Sequence, residues 1–140
     1  MAISCVPDID GLSILGGQDA YQHYHHLLAH GLLFGIVATA VSVRMTNSRI
    51  RIGVLYFLLF HLHLLCDFFG SGPGWGIAYF WPFSARYFTC TSAWEYQSPQ
   101  NFAILGILVL WSLGIAIRVR RTPLEFIAPR FDEWLLKIYR

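Results

Sequence analysis

The sequence predicts an all-α fold: an integral membrane bundle of three transmembrane helices followed by an amphipathic C-terminal helix. Three observations support this prediction, namely the composition, three apolar runs and a one-sided distribution of basic residues. Of the 140 residues, 56% are hydrophobic and 13% are charged, whereas a soluble domain carries about 25% charged residues. The shortage of charge favours a chain that lies in lipid, and the length allows one membrane domain, residues 1–140.

The three apolar runs cover residues 27–43, 50–69 and 102–117. Their lengths are close to the roughly 20 residues that a helix needs to cross about 30 Å of hydrocarbon. A backbone in lipid must satisfy its own hydrogen bonds, so each run is predicted to be a helix. A loop at 70–100 and a tail at 118–140 complete the predicted domain.

Nine of the ten Lys and Arg residues fall on one predicted side of the membrane. They flank the short connection between the first two spans or follow the third span: Arg44, Arg49, Arg51, Arg118, Arg120, Arg121, Arg130, Lys137 and Arg140. The positive-inside rule assigns this side to the cytoplasm. The N-terminus and the loop 70–100 are therefore expected outside, and the C-terminus in the cytoplasm.

The tail carries apolar residues at approximately helical spacing, with basic residues among them. The apolar positions are Phe126, Ile127, Phe131, Trp134, Leu135 and Ile138. This pattern predicts an amphipathic helix on the cytoplasmic membrane surface. A short helix packed against protein is the alternative.

All six histidines fall into two clusters, at 23–30 and at 61–63, and the predicted topology brings both to the outer end of the helices. His63 and Asp67 are four residues apart, so they share one face of a helix. Imidazole and carboxylate groups suit zinc, manganese or iron. An ionisable group such as Asp67 at the edge of hydrocarbon also indicates a functional site. A His–Asp hydrogen bond that only holds helices together is the alternative.

Two further features could contribute to such a site. The segment Pro7-Asp8-Ile9-Asp10-Gly11 predicts a tight acidic turn, whose carboxylates could bind metal, bridge two ions or accept a proton from an activated water. A solvated turn is the alternative. Arg86, the single basic residue expected outside, could bind an anionic group such as phosphate or pair with an acidic residue such as Glu95.

In this order and spacing, the motifs resemble the membrane-bound metal-dependent hydrolase family, also called YdjM-like. The resemblance covers about residues 5–90 and includes the segment Trp81-Pro82-Phe83-Ser84-Ala85-Arg86. Family members commonly begin with a further helix that carries an early histidine. Their first histidine motif commonly has His-Arg and Thr-His-Ser where this chain has His25-His26 and Ala29-His30-Gly31. The resemblance implies a bacterial inner-membrane location and a metal site formed by Asp8, Asp10, His25, His30, His63 and Asp67.

The expected function is hydrolysis of an ester or phosphoester, lipid-like in character, at the non-cytoplasmic face. We expect a divalent metal, zinc or else manganese or iron, to be bound by His30, His63 and Asp67, with help from His25 and from Asp8 or Asp10. Asp10 is the expected proton acceptor, and Arg86 the group that binds a phosphoester.

Two other functions stay open on the sequence. One is a haem protein in which His30 and either His61 or His63 ligate the iron. The other is a non-enzymatic membrane protein whose histidines and acids hold helices together or bind a protein partner. The expected partners are the lipid bilayer, an amphiphilic substrate and a protein, and no nucleic acid is expected.

Overall fold

The structure, a computed structural model, describes residues 2–44, 49–119 and 134. Helices α1 to α4 cover Gln18–Tyr24, Leu32–Val43, Arg49–Gly70 and Pro99–Val119, and two 3-10 helices precede them at Ala2–Cys5 and Pro7–Gly16. The described ranges contain no strand, only an isolated β-bridge between Ile77 and Phe88. The prediction of an all-α fold is therefore confirmed. The chain divides into two compact units, Met1–Tyr96 and Gln97–Arg140.

Two of the described helices are long and apolar enough to cross a membrane, Ile50–Gly70 within α3 and Pro99–Val119, which is α4. They coincide with the second and third apolar runs of the sequence. The prediction of a membrane-spanning helix over residues 27–43 is wrong. Helix α2 begins only at Leu32 and has 12 residues, which corresponds to about 18 Å of helix against about 30 Å of hydrocarbon.

The beginning of the 27–43 run is not helical because its backbone groups have partners elsewhere. The N–H of Ala29 donates to the carboxylate of Asp10 at 3.0 Å, and the carbonyl of His26 accepts from the N–H of Ala78 at 3.1 Å. His26 also has a φ of 67°, a left-handed conformation that interrupts a right-handed helix. Residues 25–31 consequently form an irregular turn, here called the histidine turn.

Helices α2 and α3 pack antiparallel. Gly35 of α2 faces the ring of Phe60 so closely that a Cβ at position 35 would lie 2.7 Å from Phe60 Cε1, and Val43 lies beside Gly53 of α3. Phe60 is fully buried and forms the core with Leu64 and Ile77. The missing Cβ of Gly35 therefore allows the close approach of the two helices.

The segment 71–96, here called the outer segment, ties the two helices together at one end. The carbonyl of Tyr79 accepts from the N–H of Leu32 at 2.8 Å, at the start of α2, and the N–H of Trp94 donates to the carbonyl of Phe69 at 2.9 Å, at the end of α3. Both bonds satisfy helix-terminal groups that have no partner within the helix. The histidine turn is thus fixed beside the C-terminal end of α3.

Helix α4 belongs to the second unit and begins three residues before the predicted span. Pro99 occupies its first position, where proline is well tolerated, and the hydroxyl of Ser98 accepts from the N–H of Asn101 at 3.4 Å, as an N-cap does. The predicted tail helix lies outside the described residues, apart from residue 134. The orientation in the membrane stays a prediction.

Candidate metal centre

Three segments that are distant in sequence contribute the acidic and histidine side chains of one cluster. The 3-10 helix Pro7–Gly16 carries Asp8 and Asp10, the histidine turn carries His25, His26 and His30, and α3 carries His63 and Asp67. Asp8 and Asp10 were expected in a tight turn and instead lie in the first turn of the 3-10 helix. The six metal-site residues expected from the resemblance all belong to this cluster.

Asp10 lies behind the cluster and organises it. Its side chain is 1% exposed, and its Oδ1 accepts from Nδ1–H of His25 at 2.8 Å while its Oδ2 accepts from Nδ1–H of His30 at 3.0 Å. The N–H of Ala29 donates to the same Oδ2. Burial alone would raise the pKa of Asp10, but the hydrogen bonds from His25 and His30 outweigh it and hold the pKa well below its usual range. Asp10 is therefore an ionised acceptor for two imidazoles.

These bonds determine which nitrogen atoms are available to a ligand. A carboxylate can only accept, so Nδ1 of both His25 and His30 carries a proton and Nε2 faces away from Asp10. Metal-binding histidines are commonly oriented in this way by a carboxylate behind them. Burial disfavours the charged form of His30, but Asp10 and Asp67 outweigh it and raise the pKa of His30 to about 9. A cation that binds Nε2 of His30 therefore displaces a proton.

Three atoms converge in front of Asp10. Oδ2 of Asp67 lies 2.9 Å from Nε2 of His63 and 3.3 Å from Nε2 of His30. All three atoms are buried, and apart from these contacts with one another none has a hydrogen-bond partner among the described residues. Ligands about 2.0–2.1 Å from a tetrahedral ion lie about 3.3 Å from one another. This spacing, and the lack of other partners among the described residues, fit the donor atoms of a metal site.

Asp8 lies at the exposed edge of the same group. Its side chain is 54% exposed, and Oδ1 is 3.3 Å from Nε2 of His63. One donor atom from each of Asp8, His30 and His63 lies within 4.8 Å of the other two. Asp8 can thus reach an ion held by the histidines or a water molecule beside it.

A second group of possible donors consists of the three histidines of the turn. One donor atom from each of His25, His26 and His30 lies within 4.8 Å of the others. His26 is 3% exposed, its Nδ1 has no hydrogen-bond partner within the described ranges, and burial lowers the pKa of its ring to about 3. The sequence singled out His25 and His30 but gave His26 no role.

A cavity of about 610 Å³ opens onto the cluster. Its described lining includes three aromatic side chains, those of Tyr21, Trp75 and Tyr96. The ring of Tyr21 stacks on His25 with 4.6 Å between centroids. Sequence reasoning did not identify Tyr21 or Tyr96, although Tyr21 precedes His25 by one helical turn of α1. The cavity gives a small molecule access to Asp8, His63 and Asp67.

The remaining histidines and Arg86 lie apart from this cavity. Arg86 is exposed, with its guanidinium 5.4 Å from the ring centroid of Phe88, and it is not among the described residues that line the cavity. His61 donates from Nδ1 to the carbonyl of Phe57 at 2.8 Å, so its Nε2 accepts from the hydroxyl of Tyr79 at 2.9 Å. This pair borders a separate apolar cavity of about 780 Å³.

Comparison with known proteins adds one finding. A family model described as YdjM inner membrane protein matches residues 1–129. No curated protein and no solved structure matches the chain.

Proposed function

The chain belongs to the YdjM inner membrane protein family, and from this membership and the geometry of the cluster we propose that it is a metal-dependent hydrolase of the inner membrane. The observation that carries the proposal is the convergence of three buried atoms, His30 Nε2, His63 Nε2 and Asp67 Oδ2, which contact one another but have no hydrogen-bond partner elsewhere among the described residues. The substrate is an ester or phosphoester of amphiphilic character, because the cluster lies near the end of the apolar helix α3.

In this proposal His30, His63 and Asp67 are the three protein ligands of a divalent ion, with zinc favoured by the mixture of imidazole and carboxylate donors. Catalytic zinc sites commonly combine three protein ligands with one open position. Such an ion, when bound, polarises the scissile bond and lowers the pKa of water toward about 7. His63 and Asp67 line the same cavity as Asp8, so a water molecule or substrate in this cavity could reach an ion held by them.

The chain's own residues have separate tasks. Asp10 already accepts three hydrogen bonds, so we propose that its role is to orient the imidazole rings of His25 and His30. Asp8 is half-exposed at the cavity, and we propose that its carboxylate accepts the proton from the attacking water. Tyr21, Trp75 and Tyr96 surround the space in which a substrate would lie.

Elemental analysis of the detergent-purified protein tests the metal site. We expect about one or two equivalents of zinc, manganese or iron in the wild type and a loss of bound metal in His63→Ala and Asp67→Ala, because each variant removes one of three ligands. The matched control is His23→Ala, which changes an exposed histidine and should keep the metal. A metal content in both ligand variants equal to that of the wild type would contradict the proposed ligand set.

Two further measurements separate the competing functions. A haem band in the absorption spectrum would contradict the hydrolase proposal and indicate a haem protein. A metal-free wild type, together with loss of thermal stability in the His63 and Asp67 variants, would indicate a structural His/Asp network. If metal is present, hydrolysis of chromogenic carboxylic and phosphoric esters in detergent tests the activity itself.

A further inference from the structure

His26 combines two features that are unfavourable unless something compensates for them. The residue is 3% exposed and its Nδ1 has no hydrogen-bond partner among the described residues, although buried polar atoms nearly always have one. Its backbone also has a φ of 67°, which disfavours residues other than glycine. Backbone outliers held in this way concentrate at functional sites.

The neighbours of His26 indicate what kind of group could compensate. Its ring centroid is 4.4 Å from that of His25 and 4.4 Å from that of His30. Asp10 accepts from Nδ1–H of His25 and His30, so their Nε2 atoms are free to accept, yet Nδ1 of His26 makes no hydrogen bond to either ring. A cation would satisfy the lone pairs that remain.

The two donor groups share His30, whose one available lone pair is on Nε2. That atom faces Asp67 at 3.3 Å and therefore belongs to the first ion. A second ion would take its protein ligands from His25 and His26. Its other coordination positions would be left to water or to a group shared with the first ion.

We propose that His25 and His26 bind a second divalent cation beside the one bound by His30, His63 and Asp67. This inference rests on the proposed function. It also narrows the substrate class, because two ions about 3.5–4 Å apart bind both the attacking and the leaving oxygen in phosphoester hydrolysis. Two divalent ions carry four positive charges, and the carboxylates of Asp8, Asp10 and Asp67 neutralise three of them. The remaining positive charge suits an anionic phosphoester.

Manganese binding to the metal-free wild type and to His26→Gly tests the second site. Glycine is chosen because it adopts positive φ without strain. We expect about two equivalents of Mn²⁺ in the wild type and about one in His26→Gly, while the exposed-residue control His23→Gly keeps two. Equal stoichiometry in the wild type and His26→Gly would overturn the second site.

The outcomes also separate this inference from the proposed function. One equivalent in both proteins would overturn the second site and leave the hydrolase centre intact, whereas a wild type without metal would overturn both. If His26→Gly does not fold, electron paramagnetic resonance of the manganese-loaded wild type tests whether two adjacent ions are bound. A spin-coupled pair supports two adjacent ions, and signals from isolated ions alone would overturn the inference.

Discussion

Asp8 and Asp10 show how two identical side chains in one short motif acquire different environments. Asp10 is buried and accepts from His25, His30 and the N–H of Ala29. Asp8 is half-exposed, and its Oδ1 lies 3.3 Å from Nε2 of His63. The sequence could predict that both acids belong near the histidines, but it could not show which one lies behind the imidazoles. That distinction depends on burial, which no local pattern encodes.

Substitution of the two acids should therefore affect different properties. We expect Asp10→Asn to weaken zinc binding about 10–100-fold, because residues that orient metal ligands commonly have effects of this size. We expect Asp8→Asn to keep the metal and to lower turnover about 10²–10⁴-fold, as is typical when a proton acceptor is removed. Zinc titration and initial rates measure the two effects.

The exposed residue Asp19 of α1 supplies the control, since Asp19→Asn should change neither property. If Asp8→Asn lost the metal as completely as Asp10→Asn, Asp8 would be a ligand and not the proton acceptor.

Among the elements, the long helices could be predicted and the histidine turn could not. The apolar run 50–69 and the i, i+4 pair of His63 and Asp67 are local signals, and the structure places these two side chains 2.9 Å apart on α3. The turn 25–31 contains apolar residues at 27–29, but its conformation is set by hydrogen bonds to Asp10 and Ala78. Such partners cannot be identified from hydrophobicity along the chain.

The packing of α2 on α3 predicts the effect of adding one methyl group. In Gly35→Ala the new Cβ would lie 2.7 Å from the ring of Phe60, and overpacking of this kind costs about 1–3 kcal/mol. Phe60→Leu should relieve the clash, so the double variant should lose less stability than the two single variants added together. Thermal unfolding in detergent measures this coupling.

Gly53→Ala is the matched control, because its Cβ would meet only the end of the Val43 side chain, at 3.2 Å. It should destabilise the protein less than Gly35→Ala. Strict additivity of Gly35→Ala and Phe60→Leu would mean that the two residues are not in energetic contact.

At the scale of the whole molecule, the charge distribution predicts which side of the membrane the cluster faces. Nine of the ten basic residues lie in the predicted cytoplasmic segments, so the outer segment, which follows α3 in sequence, should face outward. The histidine turn is hydrogen-bonded to the outer segment through His26 and Ala78, so the N-terminal segment should lie on the same side. Cys5 is exposed in the N-terminal segment. In spheroplasts, a membrane-impermeant maleimide should label a variant that retains only Cys5, and it should not label one whose single cysteine comes from Arg140→Cys.

Permeabilised cells provide the control, because both variants should then react. The reverse pattern in intact spheroplasts would place the cluster on the cytoplasmic side. The proposed substrate would then have to be reached from the cytoplasm.

The distribution of the cluster over three segments has a consequence for the order in which the protein is made. Asp10 and His30 are only 20 residues apart, so they can meet while the ribosome is still translating α3. His63 and Asp67 come near the end of α3 and take their places only when that helix has been inserted. A nascent chain thus holds an incomplete set of donors until insertion is finished. If the proposed ion binds here, its capture would be a late step of biogenesis, because copies that fail to insert α3 would lack two of its three proposed ligands.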